Sequence, residues 1–216
     1  MATERWIHAG KSVIFASVVN LLGIGIIILA MIPFVRMESQ YSLSDTIKIM
    51  LDGDAKAMVT YNKDARSIVL SGPLGFGTTK RLTALLEQHP DVRGIQLKSY
   101  GGRVVEGLAI NELITAHNLG TYVHDECMSA CVTAFMAGNR RYVAGTARFG
   151  LHRSGYTWIE DDVAWSVEDE IEATKMRHKN ISEDFIKKGM ANGLHGIYEP
   201  TVEEVMSSGL GTELVP

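Results

Sequence analysis

No charged residue stands between Lys11 and Arg36, and no other stretch limits the options of this chain so strongly. At about 1.5 Å of rise per residue, residues 12–35 as a helix outreach the roughly 30 Å hydrocarbon core of a bilayer. A backbone inside hydrocarbon must satisfy its own hydrogen bonds, so such a run is a spanning helix unless it is cut away as a signal peptide. It is longer than the apolar region of a cleaved signal, and Pro33-Phe34-Val35-Arg36 lacks the small residues of a cleavage site. An uncleaved transmembrane anchor over 12–35 is therefore expected. Arg5 and Lys11 ahead of it, with Arg36 alone behind it, place residues 1–11 in the cytoplasm and the rest on the extracytoplasmic side. In a Gram-negative cell that side is the periplasm.

A polar connector over 36–56, with a short helix around 43–51, leads to residues 57–216, enough for one domain with a substantial core. The net charge of −4 and the lack of any Lys/Arg cluster exclude nucleic acid as the main partner, because phosphate binding needs a concentrated basic surface. No nucleotide-binding loop is visible, and neither cofactor nor metal is called for.

The pattern after the connector repeats strand, turn and helix. Residues 57–61 and 66–71 read as strands around Asn62-Lys63-Asp64-Ala65, and Gly72-Pro73 ends the second. Leu82, Leu85 and Leu86 recur at helical spacing over 78–89, with Pro90 as the stop. Residues 94–99 alternate as a strand, and Gly101-Gly102 separates them from a helix carrying Val105, Leu108, Ala109 and Leu113. A short strand over 121–124 precedes Ser129, which opens a fourth, buried helix stopped by Gly138-Asn139. Strands over 142–144 and 147–152 follow, then helices over 163–179 and 182–190 and a last helix that Thr201 and Glu204 open as a capping box. This spacing predicts a layered α/β domain with much parallel pairing.

A serine hydroxyl attacks only when a base takes its proton and donors hold the developing oxyanion. The sequence offers a part for each role. Ser129 is the candidate nucleophile and His152, at the end of a strand, the general base and then acid. The N–H groups of Ala130 and Gly102 are candidate oxyanion donors, the first at a helix start where partial positive charge gathers. Taken singly, such a serine is usually an N-cap, such a histidine structural, and Gly-Gly a turn. Their order and spacing give the combination its weight.

Three blocks resemble the proteolytic subunit of the Clp protease, within the wider crotonase-like superfamily. They are Arg66-Ser67-Ile68-Val69-Leu70-Ser71-Gly72, then Ser99-Tyr100-Gly101-Gly102 with the following helix, then Met128-Ser129-Ala130 to Gly138 and on to Leu151-His152. The resemblance implies a fold of stacked ββα units, with Ser129 as nucleophile, His152 as base, and Gly102 and Ala130 as oxyanion donors. It implies hydrolysis of peptides or unfolded proteins, and a homo-oligomer, since the family tends to form rings. Tyr100 stands where the family usually has proline. The family's aspartate aligns near Ile197 and Tyr198, where no acid stands, and Glu199 is the nearest carboxylate able to orient His152. Some membrane-anchored relatives of this fold use a Ser-Lys dyad, for which Lys175, Lys179, Lys187 and Lys188 are candidates, though His152 falls in a recognisable block and is preferred.

Cys127 and Cys131 flank Ser129. They read first as small packing residues, and alternatively as a disulfide, which an oxidising compartment permits if their Cα atoms lie within about 7 Å. Glu160, Asp161, Asp162, Glu168, Asp169, Glu170 and Glu172 read as a solvated helix face rather than a cation site. The expected protein is a membrane-anchored Clp-like serine peptidase facing the extracytoplasmic side. The alternative is an inactive protein that keeps the fold for interaction or assembly at the membrane.

Overall fold

The computed structural model describes residues 57–153, 167–191 and 196–216. The expected anchor and connector lie outside them, and no helix among the described residues is long and apolar enough to cross a membrane.

Met58–Asn62 (β1) and Ser67–Ser71 (β2) form the one antiparallel strand pair among the described residues. Their turn closes because the Asn62 side chain accepts from the N–H groups of Asp64 and Ala65 at 3.1 and 3.2 Å, as turn asparagines do. Thr78–Gln88 (α1) then buries Leu82 and Leu86. Gly94–Ser99 (β3) returns parallel to β2, Val104–Ala116 (α2) follows, and Gly120–Met128 (β4) lies parallel to β3. The strands bring Ile68, Leu70, Ile95, Leu97 and Val123 into a core from which water is almost completely excluded, the burial that stabilises such a domain.

Strand β4 runs through residue 128 rather than stopping at 124 as the sequence predicts. Its first half pairs with Arg141–Ala144 (β5), and its last three residues pair with Arg148–Gly150 (β6). His124 and Asp125 lie exposed where one partner gives way to the other. The polar triplet His124-Asp125-Glu126 thus marks a change of neighbour and not the end of a strand. Between β4 and β5 lies the short helix Ala130–Phe135 (α3), every residue of which is buried.

After β6 come Val167–His178 (α4), Glu183–Ala191 (α5) and Val202–Ser207 (α6). Thr201 caps α6 with its hydroxyl, and Glu204 returns the bond, forming the expected capping box. Glu213–Val215 (β7), which the sequence reading passes over, adds in parallel to β5 and completes the order β1-β2-β3-β4-β5-β7. Arg141 holds this end together by donating to the carbonyls of Leu210, Gly209 and Gly138 at 2.7, 2.8 and 3.1 Å.

Candidate active site

The carboxyl ends of β3, β4 and β6 converge on Ser129. In parallel sheets this is the end where crevices open. Ser129 joins β4 to α3 with φ 54° and ψ −128°, a left-handed conformation that strains any residue with a side chain. Its N–H donates to the Gly150 carbonyl at 2.7 Å, so the β4–β6 pairing holds the turn from below. Cys127 and Cys131 bracket the same turn and are joined by a disulfide, with Cα atoms 5.2 Å apart. They are therefore not the free packing residues that the sequence reading puts first.

Two glycines make room for the turn. A Cβ on Gly101, where φ is 92°, would lie 2.8 Å from Ser129 Cβ and 2.7 Å from the Met128 carbonyl. A Cβ on Gly107 would lie 2.6 Å from the Ala130 carbonyl, so α2 packs on α3 with backbone against backbone. Gly102 is bridged to Leu74: Leu74 N–H donates to Gly101 O at 2.8 Å, and Arg103 N–H to Leu74 O at 2.9 Å. In a parallel bridge the central residue points its own N–H away from the partner, so the Gly102 N–H faces away from Leu74. Ala130 is the first residue of α3, where an N–H has no partner within its helix.

Ser129 and His152 line one pocket with Val104, Ala130, Val132, Thr133, Leu151, Glu172, Met176 and Met190. His152 follows β6, and its Nδ1 lies 2.8 Å from the Arg153 carbonyl oxygen. A carbonyl only accepts, so Nδ1 carries the hydrogen and the lone pair is left on Nε2. That tautomer is the one a general base needs.

Glu199 goes elsewhere. Its Oε2 accepts from Arg148 at 3.1 Å on the exposed surface. The four candidate lysines also lie off the pocket lining. Lys175 donates to Asn111 Oδ1 at 3.2 Å and pairs with Glu112, and Lys188 pairs with Glu204 at 2.9 Å. Burial, with help from Arg141 and Lys175, pushes Lys179 below the usual lysine range. Yet that ammonium donates to the Ala137 carbonyl at 2.7 Å, so its perturbation belongs to packing.

The sequence reading misses Glu172. On α4 the residues Asp169, Glu172, Ala173 and Met176 form one buried stripe, so two of the acids assigned to a solvated face point inward. Glu170 keeps to the surface and pairs with Arg177, whereas Glu160, Asp161 and Asp162 lie outside the described residues. The available signal was the helical spacing of 169, 172, 173 and 176, which puts both acids on the face of Ala173 and Met176.

No protein-family model matches the sequence, and no curated protein matches it. Solved structures do. ClpP1 from Listeria monocytogenes is 18% identical with a TM-score of 0.57, over 70% of this chain and 92% of that one. A peptidase from Plasmodium falciparum is 13% identical with a TM-score of 0.55, over 71% of this chain and 97% of that one. Likeness at such identities speaks to architecture alone, and on it the described domain has a ClpP-like fold.

Proposed function

We propose that the domain is a serine peptidase that forms an acyl-enzyme on Ser129. His152 Nε2 takes the hydroxyl proton as Ser129 attacks the scissile carbonyl, and then returns it to the leaving amine. The N–H groups of Gly102 and Ala130 receive the oxyanion. Water, deprotonated by the same imidazole, releases the acyl product. The observation carrying this reading is the strained elbow at Ser129, placed on the wall of a pocket that also holds an imidazole with its Nδ1–H engaged. Peptides or unfolded chains are the proposed substrates, and self-association is the proposed assembly.

Residues 12–35 are proposed to anchor the domain on the extracytoplasmic side. An ATP-driven unfoldase partner does not fit that compartment, so short or already unfolded substrates suit it better. An alkaline phosphatase fusion after Gly53 is expected to be active. An inactive fusion with strong cytoplasmic reporter activity would reverse the topology.

Fluorophosphonate labelling of the full chain in detergent tests the chemistry. Wild type should label, and Ser129→Ala and His152→Ala should not. Folded wild type that stays unlabelled would favour the second reading, an interaction protein that keeps the fold without the reaction. Supporting that alternative, Ile197 and Tyr198 carry no acid and Glu199 faces Arg148.

A further inference from the structure

Both cysteines of the chain stand two residues from Ser129, one on each side. Cys127 is fixed within the sheet, where β4 pairs it with Ser99 of β3 and Phe149 of β6. Cys131 is the second residue of α3, a helix too short to hold itself together. Their disulfide crosses the elbow and keeps the Cα atoms 5.2 Å apart. Four extended residue steps would span about 13 Å, so the bridge commits the link to doubling back on itself. As a general staple it is badly placed, because a bridge removes more chain entropy the longer the loop it closes. What it constrains is one turn.

That turn has a reason to relax. Ser129 combines φ 54° with ψ −128°, whereas residues with side chains tolerate positive φ at ψ of about +45°. Such a conformation persists only while its surroundings over-determine it. The Ser129 N–H bond to the Gly150 carbonyl and the Val132 N–H bond to the Ser129 carbonyl, both 2.7 Å, hold it non-covalently. The disulfide is the covalent hold. We infer that Cys127 and Cys131 are positioning residues, and that the site reacts only after they are oxidised. The inference rests on the serine peptidase reading of Ser129. In the dithiol form the domain keeps its sheet, but the elbow relaxes and takes with it the hydroxyl and the Ala130 N–H. Closure is thiol–disulfide exchange with a disulfide-bearing oxidant: one thiolate attacks it to form a mixed disulfide, and the second thiolate displaces the carrier. The pair loses two protons and two electrons, and the oxidant leaves reduced to thiols. A chain held in a reducing compartment is therefore silent. Both cysteines are fully buried after folding, so the state is set while the chain folds.

The test refolds the full chain from urea into detergent, with either dithiothreitol or glutathione disulfide present throughout. Maleimide mass shifts after denaturation count the thiols, and circular dichroism reports the fold. The chain has no other cysteine, so any redox effect on it passes through this pair. The dithiol form should fold, yet take up fluorophosphonate roughly ten- to a hundredfold more slowly than the oxidised form, the population ratio that strain of this size sets once released. The loss should fall on the maximal labelling rate and leave the half-saturating probe concentration unchanged, as positioning requires. Cys127→Ala with Cys131→Ala should be equally slow in both buffers, and refolding the dithiol sample with glutathione disulfide should restore its rate. A folded dithiol form or double variant that labels at the oxidised rate overturns the inference. So does a dithiol form that does not fold, because the bridge would then serve folding and not the site. No labelling of the folded, oxidised chain defeats instead the peptidase reading beneath it.

Discussion

Leu151 and Tyr198 exchange both backbone hydrogen bonds, Leu151 N–H to Tyr198 O at 2.9 Å and Tyr198 N–H to Leu151 O at 2.7 Å. The residue before His152 is thereby clamped to the segment that precedes α6. Tyr198 is anchored in turn, because its hydroxyl donates to Glu204 at 3.1 Å. Bonds from Lys188, Thr201 and Tyr198 hold the Glu204 carboxyl down at about 2. Continuing the antiparallel register by one step sets Ile197 across from His152.

Ile197→Asp should therefore strengthen the base, by placing a carboxylate across from an imidazole that now has a backbone carbonyl at Nδ1. An orienting acid raises turnover by orders of magnitude in complete triads, and here a gain of roughly tenfold in fluorophosphonate labelling rate is expected. Labelling rates measured against pH would show it. An unchanged rate in the folded variant would mean that the Arg153 carbonyl already does what an acid could do.

Gly101→Ala should abolish labelling with a modest loss of stability. The added methyl group would sit 2.8 Å from Ser129 Cβ at a backbone with φ 92°, so either the glycine turn or the elbow must move. Strain of this kind costs about 1–3 kcal/mol. Urea unfolding should register that loss, while labelling falls by at least a hundredfold because the N–H groups proposed as oxyanion donors lose their place. Full labelling in Gly101→Ala would show that this turn does not shape the site.

Glu106 links α2 to the start of α1, accepting from Gly77 N–H at 2.7 Å and from Thr79 N–H at 2.8 Å. Burial pushes this carboxyl up, but the bonds from Thr79 and Gly77, with Arg81 nearby, outweigh it and leave it below the usual range. A carboxyl lowered by folding stabilises the protein above its unfolded value of about 4.3, and that contribution is lost as pH falls through the lower folded value. Glu106→Gln should cost about 1–3 kcal/mol at pH 7 and less at pH 3. Urea midpoints at the two pH values would check this, and an equal loss at both would refute it.

Removing the disulfide tests how the elbow is held. Cys127→Ala with Cys131→Ala frees a very short loop, for which chain entropy predicts a loss of about 2 kcal/mol. Reductant should leave the folded wild type unaffected, since both cysteines are fully buried, and should lower its urea midpoint once unfolding exposes them. A reductant-insensitive midpoint would show that the bridge adds nothing to stability.

Much of the sheet was legible because β2 and β3 carry their apolar residues where the pattern says, and because glycines mark the turns. The turn at Ser129 and the short buried helix after it were legible for the same local reasons. Features set by distant partners were not. Strand β7 is only three residues long and owes its place to Arg141, which reaches across to Gly209 and Leu210. Glu199 was the nearest acid in sequence, yet its partner is Arg148 on another strand. Glu172 looked like one more surface acid until Thr133 came to face it, and no local pattern announces a pairing between residues so far apart in the chain.

On the proposed peptidase reading, the conformation of Ser129 sets function against folding at a single residue. Glycine takes a left-handed φ without steric penalty, so the backbone there would be more comfortable without any side chain. Ser129→Gly should unfold later than wild type, by on the order of 1 kcal/mol, whereas Ser129→Ala keeps the strain and gains nothing. Both lose the hydroxyl. If Ser129 is the nucleophile as proposed, the most stable version of this domain is one that cannot react, and the native protein holds its hydroxyl in place at the expense of its own stability.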